Sequence, residues 1–180
     1  MLNATFVRTV GDRDRIYVTR SNGTEVSWVF PTYGDTPPHD MVHLIVESAF
    51  GLRQGFWGRV DAGIDPGLIA QQANRMGGRD KYAAFGPDAA SLLLAEILAN
   101  AGWFGSTDAT PVHRRITDIC RESNVDPPSL LSLERTAQVA DVLAHLAGRW
   151  SGLRPKGAIQ LFFDPEKPER TFGPLLKLQT

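Results

Sequence analysis

One cysteine, Cys120, in 180 residues leaves no internal disulfide to form and excludes both a cysteine-rich zinc module and a C-x-x-C redox pair. An excess of one charge is lacking too. With 19 basic residues against 20 acidic the net charge is −1, so bulk electrostatics points neither to nucleic acid nor to an acidic membrane surface. Lysine is scarce, four against fifteen arginines, so a local cluster such as Arg8, Arg13, Arg15 and Arg20 says little about partners. Long apolar runs are missing. The longest, Ala89 to Leu98, is interrupted by Glu96, and residues 1–20 lack the basic start and apolar middle of a signal peptide, so a soluble, unprocessed, cytoplasmic protein is expected. No G-x-x-x-x-G-K-[ST] phosphate loop, no G-x-G-x-x-G turn and no G-x-S-x-G elbow occurs, which disfavours the common nucleotide and serine-hydrolase chemistries.

What is present is an ordinary globular composition, 42% hydrophobic, in a chain long enough to bury one core. The first thirty residues alternate as strands do, with Phe6, then Ile16 and Val18, then Val26, Trp28 and Phe30. Turn signals at Gly11 to Asp14 and Ser21 to Thr24 make this a three-stranded meander. From Pro37 the code becomes helical. Thr36-Pro37-Pro38 and Gly51, Asp65-Pro66 and Gly77, and Pro87-Asp88 and Gly102 bracket three helices. Thr110-Pro111 opens a fourth that runs to about Ser123-Asn124, and a fifth extends from about Ser132 to Ser151. Gly157 to Phe163 is expected to be a last strand, pairing with the N-terminal sheet, and Asp164 to Thr180 an extended tail anchored by Phe172, Leu175 and Leu176. The expected fold is α+β: a small antiparallel sheet packed on about five helices in one domain over residues 1–180.

The segment Pro38 to Glu47, PHDMVHLIVE, holds two of the four histidines. On a helical wheel His39, His43, Glu47 and Asp40 project at about 0°, 40°, 80° and 100°, and apolar residues fill nearly all the rest. No Lys or Arg lies between Pro37 and Phe50, as would be usual on a solvated arc, so the arc is suited to facing a cleft. Histidines four apart stand one turn above each other, about 5–6 Å apart at Cβ, which lets both imidazoles reach one metal ion. Glu47 lies two turns along, about 12 Å from His39, and is better placed to orient His43 by accepting its second ring proton than to ligate.

HDMVH resembles the H-E-x-x-H helix of zinc hydrolases, with Asp40 where that family carries its catalytic Glu. It is also similar to the H-D-x-x-H helix of the ubiquinone-biosynthesis scaffold family, implicated in zinc binding. That motif continues through eleven intervening residues to a Glu, where this sequence has Gly55. Taken with the tract Gly55-Phe56-Trp57-Gly58, the longer string resembles a set of uncharacterised small bacterial proteins marked by P-H-D-x-x-H-x-x-V-E and Gly-Phe-aromatic-Gly. The first two likenesses imply zinc on His39 and His43 with Asp40 acting on a metal-bound water; the third carries no activity with it.

A further ligand has to come from elsewhere. Glu96, in the apolar run ASLLLAEILAN, is the first choice, because a carboxylate there must be paired, hydrogen-bonded or bound to a metal, unless it simply faces water on that helix's polar edge, near Ser91 or Asn100. His113, beside Arg114 and Arg115, is a second source. His145 belongs to the stripe Glu134, Gln138, Asp141, His145 and Arg149, whose mixed charges fit a solvated face. Phe56-Trp57 and Trp103-Phe104 read as pocket walls or core. Two functions are open at this point: a zinc site serving metal-assisted hydrolysis, or an interaction or scaffold protein in which the His/Asp/Glu cluster is a structural network. The second would expose an apolar patch for a protein partner, at Phe56-Trp57 or along the C-terminal tail.

Overall fold

The computed structural model describes residues 1–10, 13–31, 34–75, 82–104 and 108–177. Strands β1 (Leu2–Val7), β2 (Arg13–Thr19) and β3 (Glu25–Pro31) form the meander, and β4 (Ala158–Phe163) adds to it antiparallel along β1, giving the order β3-β2-β1-β4. The register explains the single buried face. Ala4 lies opposite Val18 and Leu161, and Phe6 opposite Ile16 and Ile159, so the period of two brings the apolar residues of neighbouring strands together. The β2–β3 turn closes with Gly23 at φ 85°, and Asn22 accepts from the Thr24 amide. The turn expected at Gly11-Asp12 lies outside the described residues, as does the helix stop expected at Gly77.

The helices are α1 (His39–Phe50), α2 (Phe56–Asp61), α3 (Pro66–Arg75), α4 (Ala89–Ala99), α5 (Ala109–Glu122), α6 (Leu133–Ser151) and α7 (Glu169–Leu176), with a 3₁₀ turn over Ala83–Asp88. Gly51 ends α1 in the left-handed conformation, and the Asp108 and Ser132 side chains cap α5 and α6. Helix α1 is central. Every residue from Met41 to Phe50 is buried, and α4, α6 and α7 pack around it, as expected of a helix apolar nearly all round. No helix among the described residues is long and apolar enough to cross a membrane.

Two elements depart from the sequence reading. The tail is not extended: it holds α7, because Phe172, Leu175 and Leu176 fall at the i, i+3, i+4 spacing of a helical stripe. Phe172 and Leu175 are buried there, and Thr171 donates to Ser48 Oγ on α1 at 3.0 Å. That packing offsets the poor propensity of Gly173-Pro174. The second departure is α2, a short helix where the sequence offered only an aromatic pair between glycines. It ties the sheet to the rest of the core through Arg20 Nε on the Val60 carbonyl at 2.6 Å and an edge contact of Trp57 on Phe6.

Candidate metal centre

His39 is the first residue of α1 and His43 stands one turn further in, so their rings meet edge-on with centroids 4.8 Å apart. His39 is exposed at the mouth, whereas His43 is 4% exposed. Helix α4, packed against α1, brings in Glu96, whose Oε2 lies 3.3 Å from His43 Nε2. One ligand atom each from His39, His43 and Glu96 falls within 4.8 Å of the others, so these side chains could hold a metal ion. His113 and His145 sit on α5 and α6 and do not join the group.

Below the histidines Glu47 is fully buried, and its carboxylate has three donors. Oε1 faces His43 Nδ1 at 3.2 Å and accepts from the Phe56 amide at 2.9 Å, and Oε2 accepts from the Trp57 amide at 3.0 Å. Glu47 therefore fixes the His43 ring and also satisfies two of the unpaired amides at the start of α2. Gly55 makes this approach possible, and Gly58 lets the Arg53 backbone lie close to α2. A Cβ on Gly55 would lie 2.6 Å from Glu47 Oε2, and one on Gly58 would lie 1.7 Å from the Arg53 carbonyl oxygen. Sequence reasoning found the acceptor but not these donors, because the amides of a one-turn helix leave no side-chain signature.

Asp40 is held by two indoles. Its Oδ2 accepts from Trp28 Nε1 at 2.9 Å, and its backbone carbonyl accepts from Trp57 Nε1 at 2.8 Å. It still lines a pocket of about 190 Å³ together with His39, His43, Glu96 and Tyr82, and Phe56, Ile69, Ala70 and Leu92 supply the apolar part of the lining. Two further groups bond Glu96, one of which, Asn100, the sequence had placed beside it on the polar edge of α4: Asn100 Nδ2 donates to Oε1 at 2.9 Å and the Tyr82 hydroxyl to Oε2 at 3.2 Å. Asn100 had the i+4 spacing to suggest it; Tyr82 lies fourteen residues away with no periodic relation to Glu96.

The electrostatics follow from the packing. Burial opposes charge on His43, but hydrogen bonds and attraction from Glu47 and Glu96 outweigh it, and its pKa is pushed up to about 9. His39 moves the other way. Partial removal from water and the neighbouring His43 charge lower it below 6.5, so it is neutral at pH 7, the form that ligates. Burial raises the Glu47 carboxyl despite its donors. Burial and the Glu96 charge raise the Tyr82 phenol, so it stays protonated. The apolar segments considered as partner surfaces are largely inside: Phe56 is 8% exposed, Trp57 and Phe172 are 0%, and Leu175 is 7%.

Known protein-family models, curated proteins and solved structures were compared with this chain, and none matches it.

Proposed function

We propose that His39, His43 and Glu96 bind one divalent ion, zinc by its donor set, and that the ion serves hydrolysis of a small substrate in the adjoining pocket. The observation that carries the reading is the convergence of three ligand atoms, from two helices, within 4.8 Å. Two imidazole nitrogens and a carboxylate oxygen suit zinc, and three protein ligands leave one tetrahedral position for water or substrate, as catalytic rather than structural sites do. Ligand atoms at about 2.0–2.2 Å from a tetrahedral ion are roughly 3.4 Å apart. The 3.3 Å between His43 Nε2 and Glu96 Oε2 already has that value. Binding then requires loss of the His43 proton and a small swing of the exposed His39 ring. His43 ligates through Nε2 because Nδ1 faces Glu47, the outer carboxylate that fixes a ligating imidazole.

Asp40 is the pocket carboxylate outside the ligand set and takes the proton from the attacking water. Water adds its oxygen to the acyl carbon, the bond to the leaving group breaks, and that proton passes to the departing atom, so no oxidant or reductant is needed. The test is elemental analysis of tag-free protein purified without chelator, beside a His39→Ala/His43→Ala variant. Near-stoichiometric zinc that is lost in the variant supports the reading. Equal metal content in both, or silent zinc titrations of both, overturns it.

One observation favours a second reading. His43, paired with Glu47 and Glu96, closes a polar network that needs no ion to satisfy it, as in a scaffold protein. A wild-type chain that ignores zinc but loses stability on His43→Ala decides for that alternative.

A further inference from the structure

Tyr82 lines the same pocket, and neither the ligand set nor the outer partner of His43 accounts for it. Its backbone has φ 69°, a left-handed conformation that a bulky residue adopts only where the surroundings enforce it, and such positions cluster at functional sites. Tyr82 is 3% exposed, and its hydroxyl end lies on the cluster. That hydroxyl lies 3.2 Å from Glu96 Oε2, the same oxygen that faces His43 Nε2. Asn100 meanwhile secures the other oxygen, Oε1, at 2.9 Å. Glu96 is thus held at both of its oxygens, and the phenol stands beside a ligand atom.

The distances decide what a donor there can reach. Ligand atoms sit about 2.0–2.2 Å from zinc and roughly 3.4 Å from one another, so a hydroxyl at hydrogen-bond distance from one of them can turn toward another oxygen on the same ion. A phenol at neutral pH is a donor. We propose that, once Glu96 Oε2 ligates the ion, the Tyr82 hydroxyl turns its one proton from that oxygen to the oxygen occupying the ion's fourth position, and that the site therefore takes small acyl compounds, amides or esters, whose carbonyl oxygen gains negative charge. This inference rests on the zinc reading of His39, His43 and Glu96. The pocket agrees with the substrate class: about 190 Å³ with Phe56, Ile69, Ala70 and Leu92 in its lining admits a short apolar acyl group, its carbonyl turned toward the metal ligands.

The test uses the full chain loaded with cobalt(II), whose visible absorption reports both metal uptake and a change of the fourth ligand, with acetohydroxamate as the probe. Tyr82→Phe keeps the ring and the backbone and removes only the donor. In the loaded site the Tyr82 proton is no longer on Glu96, so cobalt affinity is expected to match wild type while the hydroxamate dissociation constant rises about tenfold, the scale of one hydrogen bond to a charged group. Asn100→Ala gives the opposite pattern, with weaker cobalt binding and unchanged hydroxamate affinity in the loaded protein. Unchanged hydroxamate affinity in Tyr82→Phe overturns the inference, and so does a loss of cobalt affinity as large as the loss of hydroxamate affinity. A wild type that takes up no cobalt fails one step earlier, at the zinc reading, so the two failures are distinct.

Discussion

Helix α1 places His39, His43 and Glu47 at four-residue intervals, and helix α6 places Glu134, Gln138, Asp141, His145 and Arg149 at intervals of three or four. In α1 the row runs inward, from an exposed His39 to a Glu47 with no accessible surface. In α6 every member of the row keeps contact with water. Spacing is the same; the flanks differ. Apolar residues surround the α1 row on both sides and no cation accompanies it, so the helix has no face left for solvent. The α6 row carries both signs of charge, and its buried residues Val139, Val142, Leu143 and Leu146 form a separate stripe. What converts a polar row into a site is a second element that buries it, here α4 with Glu96 and α2 with its amides.

The sharpest way to break this comparison is to alter the same residue type in both rows. Changing His39 and His43 to Ala should weaken zinc binding by more than a hundredfold, beyond the effect of losing an outer-sphere partner, while His145→Ala leaves it unchanged. A zinc titration followed by calorimetry reads both. Glu47→Ala should destabilise the fold by about 3 kcal/mol in urea unfolding, because it removes one of the two carboxylates paired with the buried His43 and strands two amides of α2. Glu134→Ala on the exposed row should change stability by no more than about 0.5 kcal/mol.

A smaller effect comes from pH. In the metal-free protein His43 has its pKa raised to about 9, so zinc must displace a proton below that value. Its apparent affinity should rise about tenfold per pH unit on approaching 9 and level off above it. The stability contribution of His43 has the same origin. A folded pKa above the unfolded 6.5 means that the contribution is complete below about 6.5 and is lost as pH rises through 9, so metal-free protein should melt lower at pH 9.5 than at pH 6. The smallest effect is expected at Asn100→Gln, which removes a well-placed donor from Glu96 Oε1 but can replace it from a longer side chain; zinc affinity should fall less than tenfold.

Much of the architecture was legible in the residues. Alternation marked the meander, Pro and Gly marked most helix ends, and the apolar neighbours of His39 and His43 marked α1 as unlike a surface helix. Glu96 was visible as a carboxylate in an apolar run, but its meeting with His43 depended on how α4 packs on α1, which no local pattern encodes. Helix α7 was missed because Gly173-Pro174 argues against a helix locally and is outweighed by the burial of Phe172 and Leu175. The amides of Phe56 and Trp57 were missed for a different reason: backbone donors are the same in every sequence, and only Gly55, where a Cβ would meet the Glu47 carboxylate, hinted that another group approaches closely.

The central claim is that α1 and α4 jointly hold an ion, and the most direct measurement is X-ray absorption at the zinc edge of tag-free, zinc-loaded protein. The account predicts four nitrogen or oxygen neighbours at about 2.0–2.2 Å with the outer-shell scattering of two imidazoles, reduced to one in His43→Ala. A sulfur neighbour, a spectrum unchanged by His43→Ala, or a chain that retains no zinc would contradict it.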